Sequence, residues 1–96
     1  MLSDSDFACA KTMSINSVLA FVAVMQSGSL LGASIVLDTS PSNISILLKK
    51  FCSCFSERLF ERDGRTLRPT QYAFELHEDM EVFCKGIIGI MKRSDV

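Results

Sequence analysis

The stretch SGSLLGASIVLDTSPSNISILLKK, residues 27–50, predicts two helices joined by a tight turn. The first helix is expected over residues 30–37, and the turn follows at 38–39. Ser40 followed by Pro41 is a strong start signal for the second helix, because serine caps helices and proline is favoured at their first position. Two helices that cross at such a turn are a common way of presenting a helix to the major groove of DNA.

The second helix has one apolar face and one polar, basic face. At about 100° per residue, four apolar side chains lie close together on the helix and predict its buried stripe. They are Ile44, Leu48, Phe51 and Phe55. The opposite side, which would face a groove, carries Ser42, Ile46, Lys49 and Ser53, and it is flanked by Asn43, Ser45 and Lys50.

The sequence on either side of this pair predicts a further helix and a hairpin. Apolar residues at helical spacing predict a helix over 15–26, whereas residues 1–13 show no periodicity and predict a flexible arm. Residues 58–62 and 66–68 alternate around Asp63-Gly64, which is a favoured hairpin turn. Two short strands with a basic tip after two crossing helices predict a wing.

A last, long helix is expected over residues 71–92, with Thr70 as its cap. It carries an apolar seam with the alternating spacing of three and four residues that coiled coils use. The seam consists of Ala73, Leu76, Met80, Phe83, Ile87 and Ile90. We interpret it as a homodimer interface. The alternative is that this helix docks on its own domain.

Composition sets limits on the function. The 96 residues carry a formal charge of −1, so overall basicity does not argue for nucleic acid, but residues 49–68 hold six basic side chains against three acidic ones. A locally basic middle fits a nucleic-acid face on one side of the molecule. Apolar runs are too short for a membrane span and the N-terminus does not resemble a secretory signal, which favours the cytoplasm and no membrane partner.

The sequence offers no candidate for catalysis or for a metal site. It has no glycine-rich phosphate loop. Cys52 and Cys54 are spaced too closely for a zinc knuckle, so the four cysteines are interpreted as reduced thiols packed as small hydrophobic groups. We therefore expect no enzymatic activity, no metal and no cofactor.

The order of these elements and their residues resembles the N-terminal DNA-binding part of LysR-type transcriptional regulators. The resemblance covers residues 14–92 and includes Gly28-Ser29, the LFER run at 59–62 and Thr70. Further matching positions are Leu19, Phe21, Val24, Ala33, Leu37, Ser40, Ile44, Ser45, Leu48, Phe51 and Arg65.

The resemblance implies a mostly α fold, a winged helix-turn-helix of three helices and a two-stranded wing followed by a long dimerisation helix. The expected organisation is an arm over 1–13, the winged domain over 14–69, the linker helix over 70–92 and a tail over 93–96. Family members normally carry a C-terminal domain that senses a small molecule. Because the sequence stops where that domain would begin, we expect no small-molecule inducer.

Two functions stay open at this point. In the first, the protein is a sequence-tolerant regulator that binds double-stranded DNA as a homodimer, with Ile46 against a thymine methyl and Asn43 as the best base reader. The DNA-binding residues would be Ser29, Ser40, Ser42, Asn43, Ser45, Ile46, Lys49, Lys50, Arg65 and Arg68. In the second, Leu31, Ile35 and Ile46 form an apolar patch through which the protein modulates another transcription regulator.

Overall fold

The computed structural model describes residues 1–64 and 66–93, and it confirms a winged helix-turn-helix followed by a long helix. The elements in chain order are α1 (Asp4–Ala10), α2 (Ile15–Ser27), α3 (Leu30–Val36), α4 (Pro41–Cys52), β1 (Phe60–Asp63), β2 (Thr66–Pro69) and α5 (Gln71–Arg93). Strands β1 and β2 form an antiparallel pair. No single helix in the described part of the chain is both long and apolar enough to cross a membrane.

The turn between α3 and α4 sets the two helices at 103° to each other. Ser40 caps α4 as predicted, since its side-chain oxygen accepts a hydrogen bond from the Asn43 amide at 3.0 Å, and Pro41 occupies the first helical turn. Asp38 adopts a left-handed backbone conformation with φ of 52°. Aspartate tolerates this region better than most residues, which allows the sharp change of direction without a glycine.

The core lies where α2 crosses α4 and is built around two stacked phenylalanines. The ring centroids of Phe21 and Phe51 lie 4.4 Å apart with an interplanar angle of 15°, and both residues are fully buried. Ile44 and Leu48 are buried beside them, and Phe55 is half-buried against the same cluster. The apolar stripe predicted for α4 is therefore the buried stripe of the structure.

The segment that leads into α3 packs so closely on residue 32 that only glycine fits there without a clash. The Ser29 side chain caps α3 by accepting a hydrogen bond from the Gly32 amide at 2.9 Å. A Cβ added to Gly32 would lie 2.7 Å from the Ser27 Cβ and 3.1 Å from the Ser29 Oγ. A side chain at this position would consequently displace the capping segment.

We expect Gly32→Ala to lower the free energy of unfolding by about 1–3 kcal/mol. The clash costs about 1–3 kcal/mol and the weakened cap about 1 kcal/mol, while the better helix propensity of alanine returns about 1 kcal/mol. Urea denaturation followed by circular dichroism measures this change. Gly86→Ala is the matched control, because a Cβ there meets nothing within 4 Å and should leave stability unchanged or slightly higher. Equal stability of the two variants would contradict the predicted clash.

Thr70 joins the wing to α5. Its hydroxyl oxygen accepts a hydrogen bond from the Ala73 amide at 3.2 Å and thereby caps α5. The same hydroxyl donates to the Arg58 carbonyl at 2.8 Å, and the Thr70 amide donates to the Leu59 carbonyl at 3.0 Å. The entry to β1 and the start of α5 are thus held together by one residue.

The N-terminal arm is a place where the structure differs from the sequence-based expectation. A flexible arm without periodicity is predicted over residues 1–13, but Asp4–Ala10 forms α1. The physical reason is a capping box, in which the Ser3 Oγ accepts from the Asp6 amide at 3.1 Å and the Asp6 carboxylate accepts from the Ser3 amide at 2.9 Å. Helix α1 contributes no buried residue.

The seam predicted on α5 is divided between two environments, which corrects the assignment of all six residues to a dimer interface. Ala73 is fully buried within its own chain, and Leu76 and Met80 are half-buried against the core. The reason is that α2 already provides an apolar partner for the first half of α5. Beyond Cys84 no described residue of α5 is buried, and Phe83 and Ile90 remain exposed with Ile87 half-buried.

A polar contact supports this docking of α5 on α2. The Gln26 Nε2 donates to a Glu81 carboxylate oxygen at 3.4 Å, and the Lys85 ammonium lies 3.4 Å from the other oxygen. The hydrogen bond from Gln26 and then the neighbouring Lys85 hold the pKa of Glu81 below its usual value. At its other end α5 extends through Arg93, so the predicted tail does not begin there, and residues 94–96 lie outside the described residues.

The four cysteines are free thiols in different surroundings. Cys84 is buried and Cys52 is half-buried against the core, and burial raises the pKa of both thiols. Both are therefore poor nucleophiles near neutral pH. Cys54 is half-buried with its Sγ 3.7 Å from the Thr12 carbonyl, and Cys9 is exposed.

Candidate nucleic-acid interface

The outward face of α4 is a continuous exposed surface, opposite the stripe that packs in the core. Ser42, Ile46, Lys49 and Lys50 are all exposed, and Ile46 keeps 65% of its surface accessible. This is an unusual environment for a large apolar residue, because its neighbours along the face are a hydroxyl and two ammonium groups. The face can attract phosphate at its C-terminal end and make apolar contact at its centre.

Two further serines predicted to contact phosphate lie at helix N-termini. The Oγ of Ser29 and that of Ser40 each accept an amide hydrogen bond as the caps of α3 and α4. A serine hydroxyl retains its own hydrogen as a donor when it accepts such a bond. Because both residues are exposed, each hydroxyl is available to a phosphate oxygen beside the positive end of a helix dipole.

Asn43, the expected base reader, is partly engaged within the protein. Its Nδ2 donates a hydrogen bond to the Thr39 Oγ1 at 2.9 Å, which fixes the amide against the turn between α3 and α4. The amide nitrogen carries two hydrogens, so a second N–H and the carbonyl oxygen remain for a bidentate contact with one base edge. The assignment of Asn43 as the main base reader therefore stays a prediction.

A narrow groove of about 150 Å³ separates α4 from the wing, and it brings a further basic residue to the site. Ser45 and Lys49 line it from α4, and Arg62 lines it from β1. Ser45 is consequently half-buried rather than fully displayed. Sequence reasoning did not assign Arg62 to the interface, although strand alternation carries the signal: Arg62 lies two residues after Phe60, which packs on the core.

Arg68 is predicted as a phosphate contact, and the structure shows it paired with two carboxylates. Its guanidinium lies 3.9 Å from Glu61 and 3.6 Å from Asp63 on the neighbouring strand. The strand register causes this, because Glu61 is directly opposite Arg68. These pairs are exposed and therefore weak, but they neutralise this face of the wing. Arg65, predicted at the wing tip, lies outside the described residues.

The residues predicted as a partner patch are exposed but belong to two helices. Leu31 and Ile35 are 62% and 73% exposed on α3, one helical turn apart, whereas Ile46 is on α4. Val36, also exposed, adds to the apolar surface of α3.

The order of elements and the wing are those of a winged helix-turn-helix. Residues 15–73, more than half of the chain, match the family model described as bacterial regulatory helix-turn-helix protein, lysR family. The chain belongs to the LysR family. The family consists of transcriptional regulators, and its helix-turn-helix comprises α3 and α4 of this structure.

Two relatives in Escherichia coli K12 cover most of the chain. The uncharacterised HTH-type transcriptional regulator YbeF is 31% identical over 85 residues, which are 88% of this chain and 27% of YbeF. The uncharacterised HTH-type transcriptional regulator YbdO is 28% identical over 89 residues, covering 90% of this chain and 30% of YbdO. The chain thus spans less than a third of the length of these relatives.

Solved structures share the fold. The probable transcriptional regulator PA0477 from Pseudomonas aeruginosa superposes with a TM-score of 0.77 at 22% identity, over 90% of this chain and 29% of that one. A full-length OxyR variant from Pseudomonas aeruginosa gives a TM-score of 0.79 at 18% identity, over 86% of this chain and 28% of that one. The LysR-family winged helix-turn-helix and long helix are therefore present here with their usual arrangement.

Proposed function

We propose that this LysR-family protein binds double-stranded DNA as a cytoplasmic homodimer, with α4 in the major groove and the wing on the backbone. The observation that carries the proposal is the outward face of α4, where Lys49 and Lys50 are exposed on the side away from the buried stripe. A recognition helix needs this division, because one side must hold the helix in its domain while the other enters the groove.

The proposed affinity comes mainly from phosphate contacts. Lys49, Lys50 and Arg62 supply positive charge on α4 and at the groove beside it, and the capping hydroxyls of Ser29 and Ser40 supply hydrogen-bond donors. Such contacts position a protein on DNA but carry no sequence information. Since the face offers few hydrogen-bonding base readers, we expect binding that tolerates many sequences.

Salt dependence tests this proposal. With about six phosphate contacts per dimer, the slope of log affinity against log salt concentration should be about −4 or steeper on a generic duplex. The Lys49→Ala/Lys50→Ala double variant removes four contacts from a dimer, so its slope should be shallower by about 3 to 4. Fluorescence anisotropy between about 50 and 200 mM salt measures both values.

The control for this measurement is Lys85→Ala/Lys92→Ala, which removes the same charge from α5. Lys85 pairs with Glu81, and Lys92 is in the last turn of the helix. The control should keep the slope of the unmodified protein. Slopes that are shallower than that of the unmodified protein by the same amount in both double variants would show that net charge rather than the α4 face controls binding. No measurable binding at 50 mM salt would refute the DNA-binding proposal.

The proposed dimer uses the part of α5 that its own domain leaves uncovered. Phe83, Ile87 and Ile90 continue the predicted seam beyond the docked half, and Phe83 and Ile90 are 49% and 59% exposed. An apolar stripe of this kind favours association in water. Ala73 is excluded from this interface because it is fully buried within one chain.

A second candidate function rests on the apolar surface of α3. Leu31, Ile35 and Val36 are each more than 60% exposed, and exposed apolar clusters commonly contact other proteins. In this function the protein would modulate another transcription regulator. An Ile35→Glu variant that binds duplex DNA normally but no longer affects transcription in cells would support it.

A further inference from the structure

We infer that Ile46 gives the protein a preference for A·T base pairs by contacting the C5-methyl group of thymine. This inference rests on the proposed DNA binding and deepens it by assigning a specificity-determining residue and the class of site it selects. It depends on three observations: the position of Ile46 on α4, its exposure, and the engagement of the neighbouring polar side chains elsewhere.

Ile46 is at the centre of the face that would enter the groove. Ser42 precedes it by one helical turn and Lys49 and Lys50 follow it by one turn, so the row from Ser42 to Lys49 extends about 10 Å along the helix axis. That length corresponds to about three base-pair steps of about 3.4 Å. With lysines at the end of the row placed for phosphates, Ile46 is the long side chain nearest the base edges.

Two of the polar side chains around Ile46 are partly engaged within the protein. The Asn43 amide donates one of its two N–H groups to Thr39, and Ser45 lines the groove toward the wing beside Arg62. Ser42 has only a short hydroxyl, which pairs with several bases without distinguishing them. An apolar contact from Ile46 would therefore add discrimination that the serines on this face do not supply.

Thymine presents the one apolar group of the major groove. The other groups displayed by the four base pairs there are hydrogen-bond donors and acceptors, which an isoleucine side chain would desolvate without compensation. Ile46, 65% exposed in the free protein, would bury apolar surface against the methyl group of a T·A pair. Against a G·C pair it would cover polar atoms instead.

The test compares duplexes that differ only in this methyl group. Binding is measured at low salt on an alternating A·T duplex and on the same duplex with every thymidine replaced by deoxyuridine. We expect the deoxyuridine duplex to bind about fourfold more weakly for one methyl contact per complex and about fifteenfold more weakly for two. An alternating G·C duplex should bind more tightly by a similar factor when its cytosines carry a 5-methyl group.

Variants assign the effect to the residue. Ile46→Ala should bring the ratio of thymidine to deoxyuridine affinity close to one, and its exposure means that the core is untouched. Ile35→Ala is the matched control, since it removes the same side chain from an exposed position on α3 and should keep the ratio. Circular dichroism checks that both variants are folded.

Three results would overturn the inference. Salt-sensitive binding with equal affinity for the thymidine and deoxyuridine duplexes would refute methyl reading while leaving the proposed function intact. A ratio that Ile46→Ala does not change would assign the preference to another residue or to duplex stiffness. Failure to bind any duplex at 50 mM salt would refute the proposed function and this inference with it.

Discussion

Phe51→Ala is expected to lower the free energy of unfolding by about 3–5 kcal/mol, which is enough to unfold much of the population of a domain this small. Phe51 is fully buried, and its ring stacks on Phe21 with the centroids 4.4 Å apart. Removing it loses the burial of an aromatic ring, leaves a cavity between α2 and α4, and ends the aromatic contact. Thermal and urea unfolding followed by circular dichroism measure the loss.

Phe74→Ala is the control for this variant, because Phe74 is the same residue type but 52% exposed on α5. Its substitution should change stability by less than about 1 kcal/mol. If Phe51→Ala and Phe74→Ala unfold at the same denaturant concentration, the stacked pair is not the centre of the core.

Phe83→Glu/Ile90→Glu is expected to convert the proposed dimer to a monomer at micromolar concentration. Both positions lie on the uncovered part of the α5 seam, and a carboxylate there would be buried without a partner in the interface. If each residue contributes at least about 2 kcal/mol to association, the two contribute at least about 4 kcal/mol, and the dimer dissociation constant rises by at least about 700-fold. Analytical ultracentrifugation over a concentration series measures this constant.

Val82→Glu provides the comparison for the dimer measurement. Val82 is 72% exposed, and its position in the helical repeat places it about a quarter turn from the Phe83 and Ile90 seam. It should leave the dimer intact. Sedimentation of the unmodified protein as a monomer at micromolar concentration would refute the interface, as would equal weakening by Val82→Glu.

The helix-turn-helix could be predicted from the sequence because its signals are local. The capping serine and proline at 40–41 and the apolar stripe of α4 specify a start and a buried side within one helix. The same kind of signal was present at Ser3 and Asp6, where the capping box that begins α1 is legible as a spacing of three. The left-handed conformation of Asp38 is less predictable, because few aspartates adopt it.

The features that the sequence leaves undecided depend on which elements meet. An apolar seam on α5 indicates that another helix packs against it. The sequence does not show whether that helix is α2 of the same chain, as for Ala73, or α5 of a second copy. The ion pairs of Arg68 depend on which residues face each other across the two strands, and the number of charged residues in the sequence does not specify this. Arg62 was more accessible to prediction, since alternation along β1 already places it on the side of Phe60.

The double role of Thr70 has a mechanical consequence. One hydroxyl both begins α5 and holds the carbonyl at the entrance to β1, so a rotation of the long helix would carry the wing with it. In a dimer joined through α5, the distance between the two copies of α4 would then be fixed by the dimer interface and by the Thr70 hydrogen bonds rather than by flexible connections. A dimer with such a fixed distance would tolerate little variation in the length of the DNA spacer between the two halves of its binding site.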